Sequence, residues 1–162
     1  MNKKRTLGKW ISCLLVLVWM GFIFFMSAQP GEDSGEISGG VSHLFMQVWN
    51  AIFHLDWSEA KILEMAELWD YPIRKLAHMT EFGILAMLLY WTLGYTKRFA
   101  DKKRYIAAFL GSVVYAATDE FHQLFVPDRS GNLFDVFVDA TGAILALGFV
   151  WLLMRCIAKK MK

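Results

Sequence analysis

The chain has 162 residues, of which 56% are hydrophobic and only 20% are charged. Its mean hydropathy is positive, which lies outside the usual balance of a soluble domain of this length. This composition excludes a soluble globular domain and predicts an integral membrane protein. The sequence contains no glycine-rich phosphate loop, no cysteine-rich zinc pattern and no internal repeat, and we expect no nucleic-acid partner.

Four apolar segments are predicted to cross the bilayer, because one helical span needs about 20 mostly apolar residues. The first and last segments are long and nearly free of charge, whereas the second and third are long enough only when their polar ends are included. The predicted spans are residues 10–26, 73–95, 105–124 and 135–157. We therefore predict a single all-α domain over residues 1–162, built as a four-span transmembrane helical bundle.

Basic residues are concentrated beside one end of these predicted spans. They lie in the N-terminal segment, in the loop after the second span and in the C-terminal tail. Cytoplasmic segments of membrane proteins are enriched in lysine and arginine. The prediction is therefore a multi-pass protein of the cytoplasmic membrane with both termini in the cytoplasm.

Residues 27–72 form the only long segment between predicted spans, and this topology places them outside the cytoplasm. The opening stretch SAQPGEDSGEISGG is rich in glycine, serine and acidic residues, which predicts a loop. Residues 41–53 then repeat apolar side chains at helical spacing, and a second helix is predicted with Asp56 as its N-cap and Glu59 three residues later. We expect these amphipathic helices to lie along the outer leaflet or to form a small cap over the bundle.

The polar ends of all four predicted spans meet at the outer end of the bundle. Their ionisable residues recur every three or four positions, so each helix presents them on one face. The residues concerned are Lys75, His78 and Glu81 on the second span, Asp119 and His122 on the third, and Asp135 and Asp139 on the fourth. An unpaired ion in hydrocarbon costs about 3 kcal/mol or more, so these groups must pair or reach water. A polar pocket is predicted there.

Four sequence motifs, in this order, resemble the VanZ-like family of bacterial membrane proteins. They are SAQP with Ser34 and Ser38, then RKLAHMTEFG, then ATDEFHQLFVPDRSG, and finally DVFVDATG. The resemblance extends from Trp10 to Trp151. It implies a VanZ-like domain in the bacterial cytoplasmic membrane with an envelope-associated role, such as low-level resistance to the glycopeptide teicoplanin.

Binding without chemistry is the first function that such a pocket can serve. The pocket would recognise or shield a lipid head group, a cell-wall precursor or a glycopeptide, with the lipid bilayer as its surroundings. Arginine forms bidentate contacts with phosphate and carboxylate groups, which suits anionic ligands. The candidate binding residues are Ser27, Gln29, Arg74, Lys75, Glu120, Gln123, Arg129, Asp135 and Asp139.

Acid–base catalysis is the alternative, in a membrane-embedded hydrolase or transferase that acts on a lipid-linked or cell-wall precursor. His78 or His122 would move a proton, and Glu81 or Asp119 would orient the imidazole. No signature of a nucleophile accompanies them. The same histidine and carboxylate pairs can also hold a divalent metal. Short pairs of this kind are common, so an ionic network without a metal is favoured.

A purely structural role competes with all of these functions. In that case the charged groups pair with one another and lock the outer ends of the helices together. The pairs expected are Arg74 with Glu81 or Asp119, Arg129 with Asp135, and Asp139 with His78.

Overall fold

The computed structural model describes residues 3–96 and 101–160, and its regular secondary structure is entirely α-helical. The prediction of an all-α protein is confirmed for this part of the chain. The five helices are α1 (Lys3–Ser27), α2 (Gly31–Phe53), α3 (Glu59–Gly94), α4 (Asp101–Gln123) and α5 (Leu133–Lys160).

Helices α1 and α4 run in one direction, and α3 and α5 run in the other. Ser27 at the end of α1 contacts Asp119 near the end of α4, whereas Lys75 of α3 is paired with Asp135 at the start of α5. Helix α4 therefore returns the chain from the end of α3 to the start of α5. We call the end of the bundle that holds these four residues the polar end, and the opposite end the basic end.

Three of the described helices are long and apolar enough to cross a membrane, judged by length and composition. They contain the segments Arg5–Ser27, Glu59–Gly94 and Leu133–Lys160. The prediction of four spans is wrong by this measure, because α4 does not qualify. Helix α4, predicted as a span over residues 105–124, has charged residues in its first and last turns, which leaves too short an apolar stretch between them.

The glycine-rich stretch that was predicted to be a loop is helical. Helix α2 begins at Gly31 and includes most of that stretch. The side chains of Ser38 and Ser42 both donate hydrogen bonds to the carboxylate of Asp70 on α3. Such tertiary contacts compensate for the low helix propensity of glycine.

The apolar stripe predicted on α2 is exposed in the structure. Helix α2 packs on α3 through Ser42 and Met46, which are buried. The exposed side chains of the stripe are Val41, Leu44, Phe45, Val48, Trp49, Ile52 and Phe53. The position of this stripe along the outer leaflet stays a prediction.

Helix α3 is one continuous helix of 36 residues that passes through Pro72. At 1.5 Å per residue it is about 54 Å long, whereas the hydrocarbon core of a bilayer is about 30 Å thick. The predicted span 73–95 is therefore only the second part of α3. The prediction of Asp56 as N-cap is wrong, since the side chain of Ser58 accepts a hydrogen bond from the Lys61 backbone N–H.

Helices α3 and α5 approach each other more closely than any side chain at Gly142 would allow. A Cβ atom built at Gly142 would overlap the carbonyl oxygen of Met79 on α3. One at Gly83 would lie 3.1 Å from the carbonyl oxygen of Gly142. This contact holds Asp139, three residues before Gly142, against the part of α3 that carries the predicted site.

Candidate functional site

The polar end of the bundle contains two neighbouring cavities. One has a volume of about 260 Å³ and is lined mainly by polar side chains. The other has a volume of about 110 Å³ and is lined mainly by apolar side chains. Arg74, His78 and Arg129 line both, so these three side chains lie between what we call the polar cavity and the apolar cavity.

Most of the predicted site residues line one of these cavities. Those around the polar cavity are Arg74, Lys75, His78, Glu120, Gln123, Arg129, Asp135 and Asp139, and the apolar cavity adds Ser27 and Glu81. Asp119 lies behind the lining, where it contacts Ser27 and Gln123. Gln29 and His122 line neither cavity.

Arg74 is held by a carboxylate on its own helix. Its Nη2 donates a hydrogen bond of 2.8 Å to Asp70 Oδ2, one turn earlier, while its Nε is buried and has no partner within the described residues. The expected pairing with Glu81 or Asp119 is not observed. Because α3 is continuous through Pro72, Asp70 occupies the favourable position four residues before Arg74.

Lys75 links α3 to α5 through an ion pair with Asp135. The Nζ to Oδ1 distance is 2.5 Å, and each side chain is about one-fifth exposed. The expected pair of Asp135 with Arg129 is not observed, because Asp135 is the partner of Lys75. The ion pair therefore joins α3 to α5 beside the polar cavity, which both residues line.

Arg129 binds the end of α1 instead of a carboxylate. Its Nη2 donates to the carbonyl of Met26 in the last turn of α1 and its Nε to that of Gln29, two residues beyond the helix, both at 3.2 Å. The last carbonyls of a helix have no partner within the helix and carry partial negative charge, so a guanidinium stabilises them. Burial and the neighbouring Arg74 both lower the pKa of Arg129 below its ordinary value, yet a guanidinium stays protonated in proteins.

The loop that carries Arg129 is attached to three helices. The backbone N–H of Gly31 at the start of α2 donates to the carbonyl of Pro127, and a Cβ at Gly31 would overlap the carbonyl oxygen of Asp128. The backbone N–H of Asn132 donates to Glu120 Oε2 of α4 at 2.8 Å. These contacts, together with the Arg129 bonds to α1, hold the loop over the cavities.

A buried hydrogen-bond network lies behind the cavity wall. The hydroxyl of Ser27 donates to Asp119 Oδ2 at 2.6 Å. The side-chain amide of Gln123 donates to both the Ser27 hydroxyl and the same carboxylate oxygen, at 3.1 Å in each case. The network therefore joins α1 to α4 and orients Ser27 and Gln123 toward the cavities.

Asp139 is the most buried carboxyl group of the site. It is 1% exposed and lines the polar cavity. Neither of its oxygens has a hydrogen-bond partner within the described residues, and the expected pair with His78 is not observed. A buried polar group without a partner is costly, so a ligand that supplies a donor would stabilise it.

The apolar cavity combines cationic and aliphatic surfaces. Its apolar lining comes from α1, α2 and α3, and consists of Met26, Ile37, Val41, Ile73 and Ala77. Arg74 and Arg129 line the same cavity. This combination suits an amphiphile that has an anionic group beside a hydrocarbon chain.

His122 lies apart from both cavities. Its ring packs against Phe24, with ring centroids 4.6 Å apart, and its Nδ1 is buried without a partner in the described part of the chain. Within residues 3–96 and 101–160, no group of three or more histidine, cysteine or carboxylate side chains is arranged to hold a metal ion. The geometry therefore offers no support for the alternative in which these side chains hold a divalent metal.

Asp70 and Asn132 are among the contributors to the site that were not predicted from the sequence. Asp70 carries a detectable signal, because it lies four residues before Arg74 on what proves to be one helix. Asn132 contributes its backbone N–H to Glu120, and a backbone group leaves no signal in the residue type.

One comparison with known proteins gives a match. The family model described as VanZ/LLP1 matches residues 12–155, which include both cavities and the motifs around them. Comparison with curated proteins and with solved structures gives no match.

Proposed function

We propose a binding function for this chain, which belongs to the VanZ-like family of membrane proteins, at the polar end of its helical bundle. The ligand is a membrane lipid bound through an anionic group of its head group, a lipid-linked cell-wall precursor, or a glycopeptide. The observation that carries the proposal is that Arg74 and Arg129 line both cavities. A ligand that is bound there is kept from its other partners. Through this sequestration the protein would serve an envelope-associated role such as low-level teicoplanin resistance.

Arginine is the side chain best suited to this task. Its planar fork matches the oxygens of a phosphate or carboxylate, and it is more weakly hydrated than an ammonium group. Arg74 retains a buried Nε without a partner among the described residues, so it has an unused donor for such a ligand. The aliphatic wall of the apolar cavity accommodates the adjoining hydrocarbon.

The proposed orientation places the polar end outside the cytoplasm. The start of α1 and the end of α5 lie together at the basic end, so both termini are on one side of the bundle. Basic residues described there include Arg5, Lys9, Arg104, Arg155, Lys159 and Lys160. Because lysine and arginine are enriched on the cytoplasmic side, the cavities open toward the outer leaflet.

The test is the ranking of three variants by the amount of phospholipid that co-purifies, measured by lipid-resolved mass spectrometry. Binding through the guanidinium fork predicts that Arg129→Lys loses nearly as much lipid as Arg129→Ala, whereas His78→Gln loses less. Arg74→Lys should lose as much lipid as Arg129→Lys. Because Arg74 does not bind α1, an equal loss in both variants points to ligand binding and not to the support of α1. The control pair is Arg155→Lys and Arg155→Ala at the basic end, which should retain the lipid. Full retention in all Arg129 and Arg74 variants would refute the proposal.

A membrane-embedded hydrolase or transferase is the second candidate function. It is favoured by one observation: His78, Glu81 and Ser27 line the same cavity, and the Ser27 hydroxyl already donates to the Asp119 carboxylate. Proton transfer reverses the ranking of the variants. Glutamine cannot act as an acid or base near neutral pH, so His78→Gln would lose all turnover, whereas Arg129→Lys would retain charge and part of the activity.

A further inference from the structure

The polar cavity is lined by groups of both signs that come from different elements of the bundle. Arg74 and Arg129 come from α3 and the loop, whereas Asp139 and Glu120 come from α5 and α4. Lys75 does not neutralise the second pair, because it is bonded to Asp135. The cavity is therefore built to bind more than a simple anion.

Asp139 is the group that a simple anion would leave unsatisfied. It is 1% exposed, and both of its oxygens are buried without a partner in the described part of the chain. An anion bound to the arginines would add negative charge close to this carboxyl group and provide it with no donor. A simple cation would instead be repelled by the guanidinium groups of Arg74 and Arg129, which line the same cavity.

We infer that the ligand is a zwitterion in which a phosphate is joined by a short linker to a primary ammonium group, as in phosphoethanolamine. This inference rests on the proposed function, which provides the phosphate contacts of Arg74 and Arg129. The ammonium group lies toward Asp139 and the free oxygen of Glu120. A primary ammonium group offers three N–H donors, whereas a trimethylammonium group offers none.

The neighbouring apolar cavity indicates where such a head group comes from. Arg74 and Arg129 line both cavities, so a phosphate held between them can have its ammonium group in one cavity and its hydrocarbon in the other. Phosphatidylethanolamine has this arrangement, and free phosphoethanolamine has the same head group without the chains. Both are therefore included as probes.

The first experiment needs no variant. The full-length protein is purified in detergent, depleted of lipid and titrated with phosphatidylethanolamine, phosphatidylcholine and phosphatidylglycerol that have identical acyl chains. We expect phosphatidylethanolamine to bind at least about tenfold more tightly than phosphatidylcholine, since an unpaired buried charge costs enough for a factor of that size. Equal affinity for the three lipids would overturn the inference.

The second experiment locates the recognition of the ammonium group. Asp139→Asn keeps the size of the side chain but cannot carry a negative charge beside a bound ammonium group, so the preference for phosphatidylethanolamine over phosphatidylglycerol should be lost. Glu64→Gln is the control, because Glu64 is exposed and is paired with Lys61 outside the site. An unchanged preference in folded Asp139→Asn would contradict the assignment.

The outcomes separate this inference from the proposed function. Arginine-dependent binding of all three lipids with equal affinity overturns the zwitterion and leaves the proposed function intact, whereas no arginine-dependent binding overturns both. Displacement of the lipid by free phosphoethanolamine, but not by inorganic phosphate, supports recognition of the head group alone. Displacement by neither, with the lipid preference intact, supports recognition of the whole phospholipid.

Discussion

The hydroxyl of Ser27 donates a hydrogen bond of 2.6 Å to the carboxylate of Asp119 and so joins the end of α1 to α4. Asp119 is only 3% exposed, and its other oxygen has no partner within the described residues. Ser27 and Gln123 are thus the side chains that compensate for burying this carboxylate. Loss of either donor leaves a charged group poorly solvated.

Removal of the Ser27 hydroxyl is therefore expected to destabilise the bundle. Ser27→Ala should lower the free energy of unfolding by about 1.5 to 3 kcal/mol, the range for a hydrogen bond to a charged group. Thermal unfolding of the purified protein in detergent measures this change. Ser12→Ala is the matched control, because the Ser12 hydroxyl donates only to the Lys9 carbonyl on an exposed turn. Equal changes in both variants would contradict the buried role of Ser27.

A methyl group at position 142 is expected to force α3 and α5 apart. Gly142→Ala should lower the free energy of unfolding by about 1 to 3 kcal/mol or more, because overpacking displaces backbone as well as side chains. Gly148→Ala on the same helix is the control, since a Cβ there meets nothing within 4 Å. That control should be neutral or slightly stabilising, as alanine is the better helix former. Thermal unfolding of the two variants under the same conditions decides between these outcomes.

The Lys75–Asp135 pair should show a large interaction energy in a double-mutant cycle. Exchange of the two residues, with Lys75→Asp and Asp135→Lys combined, should recover at least half of the stability that either single change loses. We expect a coupling of about 1 to 3 kcal/mol, because the residues are in direct contact and only partly exposed. The exposed Lys61–Glu64 pair is the comparison, with an expected coupling below about 1 kcal/mol. Equal couplings would mean that solvent screens both pairs.

The orientation of the bundle can be tested with a reporter that is active only outside the cytoplasm. A fusion after Ser130, in the loop at the polar end, should be active. A fusion after Asp56, in the loop between α2 and α3 beyond that end, should be active as well. Fusions after Phe99 and at Lys162 should be inactive, because these positions adjoin the basic segments. Activity at Lys162 would reverse the orientation and place the cavities on the cytoplasmic side.

The first and last helices of the bundle could be predicted from hydropathy alone, to within a few residues at one end of each. The predicted segments 10–26 and 135–157 fall inside α1 and α5, and each helix is longer than predicted at the end that carries lysine and arginine. Both residue types are good helix formers. Hydropathy measures transfer to lipid, so it cannot report helical turns that continue into polar surroundings.

The course of the chain between Ser27 and Ile73 could not be predicted by local rules. Local rules predict that a helix is interrupted at the glycines near the start of α2 and at Pro72 inside α3. The hydrogen bonds from Ser38 and Ser42 to Asp70 connect two helices, and local propensity contains no information about them. Tertiary contacts of this kind decide the outcome for segments of marginal propensity.

The composition of the site was easier to predict than its bonding. Helical spacing alone places Lys75 and His78 on one face, and both line the polar cavity. The partner of Arg129 proved to be the backbone of α1, which no pairing of charged residue types could suggest. The functional roles of these side chains stay predictions.

Pro72 divides α3 into an outer arm, which carries the contacts with α2, and an inner arm that begins just before Arg74. A proline removes one hydrogen bond of the helix and is the usual place for a kink. A tilt of about 10° at Pro72 would move Glu59, about 20 Å away along the helix, by about 3 Å but Arg74 by only about 0.5 Å. A tilt of the outer arm would therefore carry α2 with it and change the width of the apolar cavity, which α2 lines, while the α5 side of the polar cavity keeps its place.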